Sequence, residues 1–330
     1  MKTICVKRRI LRPQGRALTH VLVAVSVWGV GCGAGAEQEA NFGEPDYSEQ
    51  SADATLHVAG TMELSNELIS LGGEGGVAVD ESGTIYVSNF HSSVWSVTPA
   101  GVVTLVSDDF QTASGNTVLP GGVLMQSDFR GNRVVTIDAG GELHDFSTEG
   151  LHGPVGVVRA PSGIVYVANC LGKYIASIAQ GGGPARVFVE DDRFGCPNGI
   201  TSDAEGNLYV ADLENPIVFK ITPDGSMTEH ADLGGPGNGH LAFVGDALYV
   251  TQLRAHQIVR LDADGSHRVV TGTGDRGFVN GPEGTATVSF PNGIAADPSG
   301  TVLYFNTHMG VMQGGNRGSM IMRRLLVPTG

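Results

Sequence analysis

The chain has 330 residues, 41% of them hydrophobic and 16% charged, with 49 glycines. That much apolar residue excludes a disordered chain, and glycine at this level suits tight turns between many short strands. The formal charge of −14 becomes about −20 once the six basic residues among the first 32 are set aside, which argues against nucleic acid or an anionic membrane surface as partner and for a cation or an uncharged small ligand.

Residues 1–32 carry Lys2, Lys7, Arg8, Arg9, Arg12 and Arg16, no acid, and then the apolar run VLVAVSVWGVGC. A basic start followed by a short apolar run is the pattern of an export signal, too short to span a membrane comfortably. The stretch resembles a bacterial lipoprotein signal with Cys32 as the lipidated residue, although Gly29 stands where such signals carry Leu; ordinary signal cleavage is the other reading. Residues 33–53 lack periodicity and read as a flexible linker. The expected locations are the periplasm, the outer membrane or cell surface through a lipid anchor, or the medium.

From residue 54 on, one pattern repeats. GGVAVDESGTIYVSN (75–89), SGNTVLPGGVLMQSD (114–128), VGVVRAPSGIVYVAN (155–169), PNGITSDAEGNLYVAD (197–212), HLAFVGDALYVTQ (240–252) and PNGIAADPSGTVLYFN (291–306) each alternate, turn at Gly or Asp, and alternate again. That is the signature of a two-stranded hairpin. Third and fourth strands follow, as in SVWSVTPAGVVTLVS and QIVRLDADGSHRVVT. Four strands every ~40 residues predict an all-β fold, a six-bladed β-propeller of four-stranded antiparallel blades over 54–330. The last repeat ends one strand short, so ATLHVAG (54–60) is expected to close the ring as its missing strand.

EGGVAVDESGTIYVSN, SGNTVLPGGVLMQSDFRGNRVVTID and PNGITSDAEGNLYVAD are similar to the senescence marker protein/gluconolactonase family of six-bladed propellers, and GTGDRGFVNGPEGTATVSFPNGIAADPSGTVLYFN resembles an NHL repeat. Together they cover nearly all of residues 55–325. The first resemblance implies a divalent cation, with calcium favoured, held by a Glu leading into blade one, Asn residues leading into two middle blades and an Asp leading into the next. Glu74 and Asn198 match; Val155 stands in place of the other Asn, and blade five offers no carboxylate. Asn116 and Asn292, on the same face, are candidates to complete the set.

Loops at one end of the ring converge on its mouth, where ligands of propellers bind. The second strands end there in Asn89, Asp128, Asn169, Asp212, Gln252 and Asn306, and a polar residue repeated in every blade suggests loop anchoring. Departures from the repeat are better candidates for chemistry, since a catalytic group is needed once. His240 and His91 are candidate general bases for water attacking a lactone or ester, with Asp128, Arg130 and Asp212 as alternatives. His152, Asn292, Arg254 and His308 are expected on the ligand-binding rim, which the connections 271–290 and 307–320 are expected to share. Cys170 and Cys196 fall at the same end in neighbouring blades, and in an exported protein predict a disulfide.

The sequence thus points to an exported monomer that binds a small organic ligand, as a cation-dependent lactone or ester hydrolase. The alternative is a non-catalytic NHL-type binding or scaffold protein at the cell surface.

Overall fold

The computed structural model describes residues 57–63, 75–235, 237–308 and 320–327; the expected export signal and linker, Cys32 and Glu74 lie outside the described residues. All regular structure within them is β: six antiparallel sheets, five in simple sequential order. The inner strands are Val77–Val79, Ala113–Val118, Pro154–Arg159, Pro197–Ser202, Asn238–Val244 and Ile294–Ala296. Each packs against the inner strand of the next blade, and the sixth packs against the first, which makes a closed ring.

The repeat pattern explains each blade locally. Asp80, Asp203 and Asp297 each accept N–H bonds within the turn that follows the inner strand, for example Thr84 N at 2.9 Å and Asn207 N at 2.7 Å. The turns close on Gly83, Gly206 and Gly300, with φ of 82°, 86° and 68°, which a residue with a Cβ adopts only under strain. Alternating side chains then bury Val, Ile, Leu and aromatic residues between adjacent blades; Ile175, Val210 and Phe219, for example, share one cluster between blades three and four. The core is therefore distributed around the ring at the blade interfaces.

Blade six closes as the sequence predicts. Its third strand, Met320–Leu326, pairs on one side with Val302–His308 and on the other with the N-terminal strand His57–Glu63. The long 271–290 connection stays at the strand ends only in part, where Ser289 O accepts from His308 N at 2.9 Å. Its Gly281–Pro282 segment pairs with His57 and Val58 at the outer edge of this blade. Arg323, 1% exposed, holds the same connection by donating to Thr287 O at 2.6 Å, Val279 O at 3.0 Å and Asn280 Oδ1 at 2.8 Å. Burial pushes the Arg323 pKa down to about 10. Of the other connection expected at the rim, residues 309–319 lie outside the described residues.

Candidate functional site

The inner strands meet around the axis at one tight position. Gly76, Gly115, Gly156, Gly199 and Gly293 occupy it in five blades. A Cβ on Gly199 would lie 2.6 Å from Gly239 O, and one on Gly293 2.6 Å from Gly75 O. Blade five alone has a side chain there, that of His240. Its backbone N–H still donates to Asn292 O of the next blade at 3.0 Å, so the imidazole is carried by the same axial stitching as the glycines. The ring is 9% exposed, its Nε2 has no hydrogen-bond partner, and burial pushes its pKa down to about 4.

His240 lines a cavity of about 290 Å³ on the propeller axis, close to the lower end of the ~300–1,000 Å³ usual for ligand pockets. Residues from all six inner strands line it, among them Val77, Val157, Ile200, Leu241 and Ile294, although the surface open to it is more polar than apolar. Asn116 is the other large polar side chain, reaching it from blade two. In a ring of six, blades two and five face each other, so Asn116 and His240 belong to opposite walls, with the Asn116 carboxamide packed toward blade one, where a Cβ on Gly76 would lie 2.8 Å from its Oδ1. Among the described residues, no charged side chain lines the cavity.

Two alignments made on the sequence shift by register. Asn116 lies opposite Gln126, as Ile200 lies opposite Val210, so it belongs to the axial wall rather than beside Asn198; Ser114 holds the place that matches Asn198. The cause is Gly115, which has to occupy the tight axial position that Gly199 fills. In blade six Asn306 N donates to Gly293 O at 3.1 Å, which makes Thr307, not Asn306, the residue equivalent to Asp212.

At the strand ends, the carboxylate of Asp212 accepts from Gly195 N at 2.9 Å, Cys196 N at 3.0 Å, Glu214 N at 2.9 Å and Asn215 N at 3.2 Å. Asp128 accepts from Thr112 N at 2.8 Å, Gln111 N at 3.2 Å, Gly131 N at 3.1 Å and Arg133 Nε at 3.2 Å. Both are fully buried, and neither lines the cavity. Their oxygens are committed to holding loops. His91, Arg130, His152 and Arg254 are exposed on loops spread around the rim, with Arg254 paired to Glu214 at 3.3 Å. His308 is half-buried, 6.3 Å from the Phe290 ring. Among the described residues, the sequence candidates that line one cavity together are His240 and Asn116.

The cation expectation fares differently. Asn198 donates its Nδ2 to Asn238 O at 3.3 Å, and Asn292 is buried with its carbonyl accepting from His240 N and Thr251 Oγ1. Among the described residues no carboxylate joins these amides; the one cluster with ligand spacing is Asp138, Glu142 and His144, exposed at an outer hairpin, where Asp138 already accepts from two turn amides. Amides alone are a poor calcium cage. The described donor set does not fit one at the mouth.

Sequence reasoning missed Gln126 and Ser127, both fully buried in blade two. Gln126 stands where the other blades have Val87, Val167, Val210, Val250 and Phe305, a contrast visible once the blades are put in register. Cys170 and Cys196 are joined as a disulfide with their Cα atoms 4.1 Å apart, between the second strand of blade three and the start of blade four.

Fold and site together define a six-bladed propeller with a small, uncharged axial chamber. Residues 125–254 match the family described as SMP-30/Gluconolactonase/LRE-like region. Virginiamycin B lyase of Nocardia farcinica (strain IFM 10152) is 29% identical over 197 residues, 59% of this chain and 68% of that protein. Among solved structures, virginiamycin B lyase from Staphylococcus aureus is similar with a TM-score of 0.57 at 16% identity, covering 82% of this chain and 99% of the other. A gluconolactonase from Xanthomonas campestris is similar with a TM-score of 0.59 at 15% identity, covering 83% and 96%. At those identities the structures establish the fold.

Proposed function

We propose that this protein is an exported propeller that binds a small neutral ligand in its axial cavity and opens a ring ester there, with His240 as the proton acceptor. The observation that carries this is the single side chain at a position that glycine fills in five blades: a buried imidazole, its Nε2 unpaired in the protein, on a residue that lines the uncharged axial cavity. A folded pKa of about 4 keeps the imidazole neutral at physiological pH, able to accept a proton. Its sequence relatives and structural neighbours include a lyase and a lactonase. A lactonase needs a base for the attacking water, and an elimination needs a base for a C–H proton, so both chemistries call on the same group. Export is supported by the pattern of residues 1–32 and by the Cys170–Cys196 pair.

The test is turnover of a panel of γ- and δ-lactones and virginiamycin B by wild type and His240→Ala, in calcium and in chelator. Loss of a general base costs ~10²–10⁴-fold, so the variant should fall at least about a hundredfold on any substrate the wild type opens. Equal turnover by both proteins, or binding of panel members without any turnover, would sink the catalytic reading; the second result would favour a non-catalytic binding protein. Activity that survives the chelator would count against the calcium expectation.

A further inference from the structure

The turn after the second strand ends on a left-handed residue in blades two, three and five: Asn132, Lys173 and His256, with φ of 50°, 58° and 55°. In blade two the Asn132 Oδ1 accepts from Gly153 N at 2.8 Å, and in blade five the His256 Nδ1 accepts from Phe290 N at 3.1 Å. Gly153 and Phe290 are matched residues of the following blades, each just before a proline and three residues before an axial glycine, Gly156 and Gly293. The same backbone N–H is thus held by the same turn position twice, and that fixes the tautomer of His256: its Nδ1 is the acceptor. Burial, and then the charge of Arg276, push the His256 pKa down, so the ring carries a single proton and that proton sits on Nε2.

Arg276, from the 271–290 connection, sets its Nε 3.1 Å from that Nε2. Both nitrogens carry hydrogens, so the contact brings together two donors that lack a shared acceptor. The guanidinium is held there by the face of Phe290, its central carbon 4.4 Å from the ring centroid, and the Phe290 and His256 rings stand perpendicular with centroids 4.6 Å apart. His256 is buried but Arg276 is exposed, so the pair is open to solvent from the arginine side. Arg193, Arg254, Arg260 and Arg268 each pair with a carboxylate; Arg276 has no such partner among the described residues. We infer that Arg276 and His256 form a binding site for a small carboxylate ligand at the mouth, between blades five and six. A carboxylate supplies what the pair lacks: oxygens to accept from the Nε2–H and the guanidinium together, and a negative charge to answer the arginine. A neutral carbonyl would leave that charge unanswered, and a cation would be repelled. Phosphate would bring more negative charge to a chain that already carries −14 than one arginine offsets. Neither residue, nor Phe290, lines the axial cavity, so this site is independent of whatever binds there.

The experiment titrates benzoate, benzamide and inorganic phosphate into protein labelled with nitrogen-15 at histidine, and follows the imidazole resonances by NMR. Benzamide keeps the shape of benzoate without its charge. The His256 signals are assigned by their loss in His256→Asn, a variant that keeps an acceptor for Phe290 N, as Asn132 does for Gly153 N in blade two. Without ligand, His256 should be protonated at Nε2 and not at Nδ1. Benzoate should shift that Nε2 signal and bind about tenfold more tightly than benzamide, the worth of one charge-assisted hydrogen bond. Arg276→Gln and His256→Asn should each weaken benzoate by about the same factor while melting like wild type. Equal affinity for benzoate and benzamide, binding of neither, or undiminished benzoate affinity in Arg276→Gln would overturn the site. Phosphate binding more tightly than benzoate would overturn the carboxylate assignment. Protonation of His256 at Nδ1 would supply the acceptor that Arg276 lacks and remove the reason for a ligand.

Discussion

At neutral pH His240 is an uncharged imidazole because burial makes its cationic form expensive. Its folded pKa of about 4 lies below the unfolded value of 6.5, so acid favours the unfolded chain, which binds the proton first. The linked stability is fully present above pH 6.5 and is lost as the pH falls toward 4. Its size is on the order of 3 kcal/mol at full extent. Replacing the ring with an amide of similar volume, His240→Gln, removes that proton-linked term. Denaturant unfolding between pH 7 and pH 4 should therefore show a shallower decline for the variant than for wild type, the difference isolating His240 from the carboxylates that also titrate there. Parallel declines would mean the imidazole is hydrated in the folded protein. His240 was legible as the residue that breaks the repeat. Asn116 was legible as a polar residue near the axis, but not in its true place. SGN in blade two and PNG in blade four look alike by their Asn, whereas the physical constraint acts on the Gly, whose missing Cβ lets the strands touch.

The strand ends show how far repetition can be trusted at the level of an element. Asn89, Asp128, Asn169, Asp212 and Gln252 all hydrogen-bond neighbouring loops: Asn89 Oδ1 accepts from His91 N and Ser93 N at 3.0 Å, Asn169 Oδ1 from His152 N at 2.8 Å, and Gln252 Nε2 donates to Leu233 O at 3.3 Å. A group that every blade needs is a structural group, and the sequence carried that inference without coordinates. The carboxylates of Asp128 and Asp212 differ from the amides by holding four donors each rather than one or two. Removing such an acceptor strands several buried N–H groups at once, and each costs ~1–3 kcal/mol when water cannot replace it. Asp212→Ala should thus lose about 3 kcal/mol of unfolding free energy, after water reaches the more exposed amides. Asp212→Asn, which keeps one acceptor oxygen, should lose about half as much by the same reasoning. Equal losses for the two variants, read by denaturant titration, would show that the charge and not the number of bonds is what the loop requires.

Across the whole molecule, six similar sheets bring sequence-distant residues to one axis, and that much could be read from the spacing of the repeats and their Gly-Asp turns. What could not be read is where the open space lies along the axis. Rim histidines and arginines announce themselves by polarity, yet the axial cavity is lined mostly by residues that the pattern marks only as core. A ring of this kind is held by its blade interfaces and by two closures. One is the N-terminal strand in blade six, which ties the ends of the propeller together. The other is the Cys170–Cys196 disulfide, which links blades three and four over a separation of 26 residues. In the chain-entropy account a loop of that length removes about 3.5 kcal/mol worth of freedom from the unfolded state. Cys170→Ser/Cys196→Ser should unfold at lower denaturant by an amount corresponding to about 2–4 kcal/mol. Because the bond restrains the unfolded chain, its loss should act on stability while leaving the axial cavity and ring-ester turnover near wild type at low temperature. In protein recovered from its native host and denatured without reductant, both thiols should be blocked to labelling; free thiols at both positions would mean either that the chain stays in a reducing compartment or that blades three and four are held together by packing alone.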